Sequence, residues 1–219
     1  MSDIKTNHFV KVILVWWENN RKDLPWRRTK NPYFLLVTEI LLRKTTSKQV
    51  DNIYHKFFQK YPSVYDLRSA DQKELENILF TLGMEKKRSK ELLKISEIIV
   101  EDFKGIIPHK YEDLIKLPGV GRYTANGVIC QAYKNDKAMV DTNVIRVVVR
   151  YFNFKSSKKR LRDDVNIWAF MESMIPLNKC KEFNLGLIDF ASSVCTSKKP
   201  KCSKCDLNEF CSFFINQMN

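Results

Sequence analysis

Four cysteines lie close together near the C-terminal end of this 219-residue chain. Cys195 is followed after six residues by Cys202, then after two by Cys205 and after five by Cys211. A structural zinc site usually has two C-x₂₋₄-C pairs separated by a longer stretch, whereas this series has a single C-x₂-C. The spacing therefore favours a [4Fe–4S] cluster held by four thiolates, with zinc or a disulfide pair as the alternatives.

The chain is strongly basic, with 38 Lys and Arg against 25 Asp and Glu, a net charge of +13. Such a field attracts polyanions, although excess lysine can also form nothing more than a solvated surface. The distribution favours phosphate contacts, because the basic residues form two clusters. These are Lys198, Lys199, Lys201 and Lys204 among the cysteines, and Arg21, Lys22, Arg27, Arg28 and Lys30 near the N-terminus.

The hydrophobic pattern predicts a nearly all-helical protein of two lobes. Three valines at 147–149 could form a strand, but the flanking arginines and the helical period favour a helix. Near the N-terminus, Lys11 interrupts the apolar run and no cleavage site follows, so we expect neither a signal peptide nor a membrane span. Helices are predicted at Phe9–Trp17, at Phe34–Leu42, and at about 49–60, 71–81, 86–103, 121–133, 142–153 and 163–174.

A glycine-containing turn joins two of these helices, in the segment Leu117–Ala125. Gly119 and Gly121 bracket Val120, which permits a hairpin with a positive φ. The free N–H groups of such a hairpin can bind a phosphate directly, or through a bound cation, at the start of the next helix. A plain helix–loop–helix turn is the alternative. A dinucleotide-binding loop is excluded, because Thr124 stands where its third glycine is needed and no strand precedes it.

Two carboxylates are candidates for chemistry. Asp141 precedes a predicted helix, where an aspartate is commonly an N-cap but can also be a reactive group. Glu39 lies in the otherwise apolar run VTEILL. Burial there would favour its neutral form, which a general acid needs, whereas exposure on the helix surface would leave it without a role.

The segments LPGVGRYTA and VDTNVIRV and the four cysteines together resemble the endonuclease III superfamily of DNA glycosylases. DLPWRRTKNPY and EFNLGLIDFASSVC resemble its adenine glycosylase branch and that branch's mismatch-specific relatives. The resemblance implies an all-α fold of two lobes that flank a DNA cleft, with the target base flipped into a pocket. One lobe is a six-helix barrel with the helix–hairpin–helix at 31–135. The other is the [4Fe–4S] cluster lobe, formed by 1–30 and 136–219.

The resemblance also assigns catalytic roles. Asp141 stabilises positive charge on the sugar, and Asn143 orients that carboxylate or contacts the sugar–phosphate. Tyr123 stands where bifunctional relatives carry a lysine, and a phenol cannot form a Schiff base, so a monofunctional enzyme is expected. Tyr123 as a plain surface residue is the alternative. Glu39 matches the glutamate that protonates adenine in the adenine enzymes.

The residues expected to bind DNA lie on the hairpin, in the loop after Glu39, beside Asp141 and among the cysteines. The adenine enzymes have glutamines where this chain has Arg43-Lys44-Thr45-Thr46. This difference weakens the case for an adenine glycosylase. The expected DNA-binding residues are Arg43, Lys44, Thr45, Gly119, Val120, Gly121, Arg122, Asn143, Lys198, Lys199 and Lys201.

The function expected from this resemblance is excision of thymine or uracil opposite guanine in double-stranded DNA, leaving an abasic site. The alternatives are an adenine glycosylase acting on A:G or A:8-oxoguanine, and a non-catalytic iron–sulfur DNA-binding module. The chain stops eight residues after Cys211, so we expect the domain that reads 8-oxoguanine to be missing. We also expect one [4Fe–4S] cluster, a monovalent cation at the hairpin, and a cytoplasmic monomer, nucleoid-associated if the host is prokaryotic.

Overall fold

The computed structural model describes residues 3–218, and every regular element in this range is an α-helix or a short 3₁₀ helix, which confirms the predicted all-α class. None of the helices between residues 3 and 218 has the length and apolar character that a membrane span requires. The α-helices are α1 (Asp3–Asn20), α2 (Pro25–Arg28), α3 (Pro32–Leu41), α4 (Ser47–Lys60), α5 (Val64–Arg68), α6 (Gln72–Leu79), α7 (Glu85–Phe103), α8 (Tyr111–Leu114), α9 (Arg122–Tyr133), α10 (Thr142–Phe152), α11 (Val165–Ser173), α12 (Cys180–Ser193) and α13 (Ser212–Met218).

The chain divides into two compact units. The hairpin unit is Asp23–Tyr133, and the cysteine unit is Met1–Lys22 together with Lys134–Asn219. The hairpin unit starts earlier than the predicted limit of residue 31, because Trp26 packs in its core with its ring centroid 5.7 Å from that of Tyr54. The functional roles assigned to the two lobes remain predictions.

In the hairpin unit, α3 packs against α9, and α7 packs against α5 and α6. Helix α3 begins sharply, because the Asn31 side chain accepts a hydrogen bond from the Tyr33 N–H at 2.9 Å and Pro32, which has no N–H, needs no acceptor at the first position. Helix α4 begins with a capping box between Thr46 and Gln49. The second of these caps fixes the C-terminal end of the loop at 42–46 that joins α3 to α4.

In the cysteine unit, α1 packs along α12, and α12 packs against α10. Phe9 of α1 is fully buried, with ring centroids 5.0 Å from Tyr151, 5.0 Å from Phe152 and 6.3 Å from Phe183. The aromatic residues of three helices therefore form the centre of this unit, and they hold the C-terminal end of α10, the end opposite to Asp141.

The hydrophobic pattern missed α12 and correctly predicted a helix at 147–149, which lies within α10. Helix α12 escaped detection because it is buried on several sides and so lacks a single apolar face. It also carries Gly186 in its interior, a residue that lowers helix propensity. The glycine permits close packing, since a Cβ there would lie 3.2 Å from the Ile13 carbonyl oxygen of α1.

We expect Gly186→Ala to destabilise the protein, although alanine is the better helix former. The helix propensity of alanine gains about 1 kcal/mol, but overpacking against the backbone of α1 costs about 1–3 kcal/mol. The net loss should be about 1 kcal/mol, which lowers Tm by roughly 2–4 °C. Thermal unfolding followed by circular dichroism measures it, with Lys11→Ala on the exposed side of α1 as the control. A Tm equal to or above that of the wild type would contradict the packing argument.

Candidate functional site

Asp141 is the N-cap of α10. Its Oδ1 accepts hydrogen bonds from the backbone N–H groups of Asn143 at 2.9 Å and Val144 at 2.7 Å, and its Oδ2 accepts one from the Asn143 side-chain amide at 2.8 Å. The carboxylate is half-buried and cannot rotate without breaking these bonds. The cap and a reactive carboxylate were alternatives in the sequence, and this geometry is compatible with both, because the N-cap itself fixes the carboxylate in place.

A chain of hydrogen bonds runs from Asp141 to the cysteines. Asn143 donates to Asp141, and the Asn143 side-chain oxygen accepts from Arg146 Nη1 at 3.0 Å. The same guanidinium donates through Nη2 to the Ala191 carbonyl at 2.8 Å and through Nε to the Cys195 carbonyl at 2.9 Å. Arg146 therefore satisfies free carbonyls at the C-terminal end of α12 and connects them to the Asp141 carboxylate.

The backbone that leads to Asp141 is held by Asn184 of α12. The Asn184 side-chain oxygen accepts from the Met139 N–H at 2.9 Å, and its amide donates to the Lys137 carbonyl at 2.9 Å. This side chain is 1% exposed. A buried amide that bonds both a donor and an acceptor of one extended segment fixes that segment relative to α12.

The four cysteines line one cavity of the cysteine unit, and all four are free of disulfides. Arg150 of α10 reaches into the cysteine loop, defined as residues 195–211. Its Nη1 donates to the Thr196 carbonyl at 2.7 Å and lies 3.4 Å from Cys195 Sγ, and its Nη2 donates to the Ser197 carbonyl at 2.9 Å. The guanidinium also lies 4.8 Å from the Phe213 ring centroid.

The donor chemistry of this cavity fits a cluster of several metal atoms. Burial raises the pKa of the Cys202 thiol, and it raises the pKa of Cys205 to about 11, so these thiolates need a compensating positive charge. Among residues 3–218, no three His, Cys, Asp or Glu side chains converge as the ligands of one ion. In a [4Fe–4S] cluster each cysteine binds a different iron, so the four cysteine Sγ atoms need not converge on one point.

The N-terminal helix contacts the cysteine loop. Lys5 Nζ donates to Ser212 Oγ at 2.9 Å and lies 5.1 Å from the Tyr151 ring centroid, and its burial lowers the pKa of the Lys5 ammonium. The His8 ring is hydrogen-bonded to the Asp206 carbonyl at 3.2 Å. Helix α1 and the cysteine loop are therefore packed as parts of one unit.

In the hairpin unit, the turn between α8 and α9 has the predicted hairpin form. Gly119 has a φ of +70°, and the Val120 N–H donates to the Leu117 carbonyl at 3.0 Å. Val120 is buried in the core, so only its backbone is available to a ligand. Arg122 and Tyr123 are the first two residues of α9, where N–H groups lack helical partners.

Glu39 is 8% exposed, so it is not a residue of an exposed helix surface. Gln131 of α9 is also buried, and its side-chain amide lies at 3.5 Å from Glu39 Oε1. Gln131 could not be identified from the sequence, because nothing local connects two residues 92 positions apart. The pair places an amide beside the carboxyl group that was predicted to be the general acid.

The loop at 42–46 is held mainly by arginines. Arg43 bonds within the hairpin unit through all three nitrogens of its guanidinium, and Lys44 is exposed with a φ of +57°. The Thr45 hydroxyl donates to the Leu41 carbonyl at 2.5 Å. Buried Arg88 donates to the Ile40, Leu41, Gly83 and Arg43 carbonyls.

The predicted residues thus fall into two groups. The cysteine unit holds Asp141, Asn143 and the four cysteines, together with the exposed Lys198, Lys199 and Lys201. The hairpin unit holds Glu39, Tyr123, the loop at 42–46 and the hairpin. The N-terminal basic cluster is divided between the units and partly paired: Lys22 lies 3.5 Å from Asp189, and Arg28 pairs with Asp23.

A helical hairpin that leads into a helix, followed by an aspartate at the next helix start, defines a class of DNA repair proteins. The chain belongs to the HhH-GPD superfamily of base excision DNA repair proteins, whose family model matches residues 37–169.

Among its relatives is a thymine/uracil-DNA glycosylase of Pyrobaculum aerophilum, 44% identical, with 94% of this chain and 91% of that protein covered. A thymine/uracil-DNA glycosylase of Methanothermobacter thermautotrophicus is 38% identical over 96% of this chain and 95% of that protein. The solved structure of a thermostable thymine-DNA glycosylase matches with a TM-score of 0.94 and 37% identity, covering 98% of each chain.

We expect Arg146→Met to destabilise the cysteine unit, because it leaves two backbone carbonyls and the Asn143 amide oxygen without their donor. Loss of these charged hydrogen bonds should cost about 3 kcal/mol, a fall in Tm of roughly 6–12 °C. Arg162→Met serves as the matched control, since Arg162 is exposed and should change stability by less than about 0.5 kcal/mol. Equal Tm values for the two variants would show that the network contributes nothing to stability.

Proposed function

We propose that this protein is a monofunctional DNA glycosylase that flips thymine or uracil out of T:G and U:G mismatches and leaves an abasic site. The observation that carries the proposal is Asp141, whose carboxylate is fixed by three hydrogen bonds at the start of α10. The relatives named for thymine and uracil, at 38–44% identity over nearly the whole chain, support the choice of base.

Cleavage of an N-glycosidic bond develops positive charge at C1′ of the sugar, and a carboxylate held nearby stabilises it. At about 4 Å and an effective dielectric constant near 20, the attraction is about 4 kcal/mol, or roughly a thousandfold in rate. We assign this role to Asp141. Asn143 holds one of its oxygens at 2.8 Å and so keeps the carboxylate oriented.

Tyr123 decides the outcome after the base has left. A lysine at this place could attack C1′ and form a Schiff base, which leads to strand cleavage. A phenol has no amine, so the reaction ends with an intact strand and an abasic site. Tyr123 is half-buried in the first turn of α9, where it can pack against the sugar.

Glu39 is assigned as the acid that assists departure of the base. Burial disfavours the charged form of a carboxyl group, and the uncharged form carries the proton to be donated. The Gln131 amide at 3.5 Å can hold the carboxyl group in one orientation, because an amide offers both a donor and an acceptor.

DNA binding is assigned to the exposed basic residues and to the N–H groups at the start of α9. Lys44 and the lysines at 198, 199 and 201 are exposed and can contact phosphates. A monovalent cation at the hairpin remains part of the proposal. The Gly119 carbonyl already accepts a hydrogen bond from Arg43, so the cation would use other carbonyls of the turn.

We assign one [4Fe–4S] cluster to Cys195, Cys202, Cys205 and Cys211. Four free thiols that line one cavity, beside the Arg150 guanidinium, support this assignment. The cluster would fold the cysteine loop and could exchange electrons when bound. Base excision itself is assigned to protein side chains, and the loop presents its lysines to the DNA backbone.

An adenine glycosylase is the second candidate, supported by Glu39 in the position of the proton donor. It is the weaker one, because Arg43 and Lys44 occupy the place of the glutamines of the adenine enzymes. The relatives named for thymine and uracil also match this chain over nearly their full length.

The proposal predicts abasic sites in T:G and U:G duplexes and none in A:G, A:8-oxoguanine or C:G duplexes. Because Tyr123 cannot form a Schiff base, strands should break only after alkali treatment. Gel analysis of end-labelled duplexes with and without alkali measures both properties. Cleavage of only the adenine duplexes would overturn the choice of base, and breaks without alkali would overturn the monofunctional assignment.

Asp141→Asn is the control for the chemistry. Asparagine is also a good N-cap, so α10 should remain capped and DNA affinity should remain that of the wild type. Excision should fall about a thousandfold with the loss of the negative charge. An Asn variant that excises at the wild-type rate would remove Asp141 from the mechanism.

The cluster assignment predicts a brown protein with broad visible absorption and about four irons per chain. Cys202→Ser should lose iron and colour, whereas Ser203→Ala in the same loop should keep both, because no ligand is removed. Metal analysis of the purified proteins measures the difference. Colourless wild-type protein with one bound zinc would contradict the assignment.

A further inference from the structure

The Arg43 side chain lies between two loops of the hairpin unit. Its Nη1 donates to the Gly119 carbonyl at 2.8 Å, and its Nη2 donates to the Glu91 carboxylate of α7. Its Nε lies 3.3 Å from the Ile40 carbonyl at the end of α3. All three guanidinium nitrogens therefore bond to the protein itself, although Arg43 was predicted to bind DNA.

Gly119 is the residue that lets the hairpin approach this guanidinium. Its φ of +70° is a conformation that side-chain-bearing residues rarely adopt, and a Cβ at this position would collide with Arg43 Nη1. The hairpin conformation and the position of Arg43 are therefore set together.

The Arg43 backbone is also fixed. The buried Arg88, 2% exposed, donates to the Arg43 carbonyl, to the Ile40 carbonyl at 2.7 Å and to the Gly83 carbonyl at 2.9 Å. With its backbone held by Arg88 and its side chain by Glu91 and Gly119, Arg43 has little freedom to turn toward a ligand.

Glu91 is the acidic partner in this arrangement. Its side chain is 16% exposed. The Glu91 carboxylate forms an ion pair with Arg43 and lies 3.9 Å from the Lys87 ammonium. The negative charge of Glu91 beside Arg43 and Lys87 would weaken the binding of a polyanion if charge were its only effect. Its contact with Arg43 indicates a structural reason for its presence.

The contacts of Arg43 hold the next residue, Lys44, in place. It follows Arg43 directly, is exposed, and has a left-handed backbone with a φ of +57°. Because Arg43 bonds to the hairpin, the distance between Lys44 and the hairpin N–H groups is set through the Arg43 side chain. Both were assigned to DNA contact.

We propose that Arg43, held by Glu91, is a positioning residue that sets the spacing between the loop at 42–46 and the hairpin at 117–121. The proposal rests on the proposed function to the extent that both loops hold DNA during excision. A misplacement of about 1 Å between groups that hold a substrate can lower a rate about a hundredfold.

Arg43→Gln, Glu91→Gln and the double variant test the proposal by two measurements. Amide hydrogen exchange of the DNA-free protein should become about tenfold faster at 119–122 in both single variants, because the hairpin opens more readily. Single-turnover excision from a T:G duplex at saturating protein should fall about ten- to a hundredfold. The double variant should be no slower than the slower single variant, since both remove one interaction.

Salt dependence separates positioning from phosphate contact. The slope of log affinity against log salt concentration should equal that of the wild type in Arg43→Gln, and Lys44→Gln should lower it by about 0.9. Arg43→Lys keeps the positive charge but loses the planar guanidinium that bonds Glu91 and Gly119 at the same time. It should therefore be as defective in excision as Arg43→Gln. A slope reduced by about 0.9 in Arg43→Gln, with hairpin exchange unchanged, would overturn the proposal.

A second Arg–Glu pair of the same unit supplies the matched control. Arg68 of α5 and Glu101 of α7 form an exposed ion pair at 2.7 Å. Arg68→Gln and Glu101→Gln should leave amide exchange at the hairpin and base excision unchanged. Wild-type protein that excises no base would contradict the proposed function alone. The amide exchange rates at 119–122 would still decide whether Arg43 positions the hairpin. Exchange at the wild-type rate in both Arg43→Gln and Glu91→Gln would refute the positioning role.

Discussion

Free carbonyl groups at the C-terminal ends of helices are the constraint on which the loop at 42–46 and the cysteine loop depend. A helix leaves its last four carbonyls without partners, and burying them unpaired costs free energy. In this chain arginines from other helices fill that need. Arg88 of α7 bonds the end of α3, and Arg146 of α10 bonds the end of α12. The loops that leave these two helix ends carry Lys44 and the cysteines.

Arginine suits this task better than lysine would. Its planar fork can reach several carbonyls at once while its charge is compensated by their dipoles, and it stays protonated even where burial lowers the pKa, as it does for Arg88. Part of the positive charge of the chain thus lies inside it. The excess of basic residues therefore overstates how many side chains are available to a polyanion, and the exposed lysines of the cysteine loop remain the more direct candidates.

The sequence predicted what is encoded locally. The helix starts at Asn31-Pro32 and Asp141, the hairpin turn and the period of α10 all rest on neighbours within a few residues, and the structure has each of them. Glu39 could be recognised as buried because the residues beside it are apolar. The arginine contacts could not be predicted, since Arg88 reaches a carbonyl 48 positions away and Arg146 one 49 positions away. Helix α12 was missed because burial on several sides removed its period.

The close approach of Arg43 to Gly119 has a consequence for how such sequences diverge. Any side chain at 119 needs both a tolerated positive φ and the space that the guanidinium fills, so replacing the glycine alone meets two obstacles. Loss of the arginine removes only one of them. A side chain at position 119 therefore strains the turn whether or not Arg43 is present, and in a chain that keeps Arg43 it also displaces the guanidinium from the hairpin.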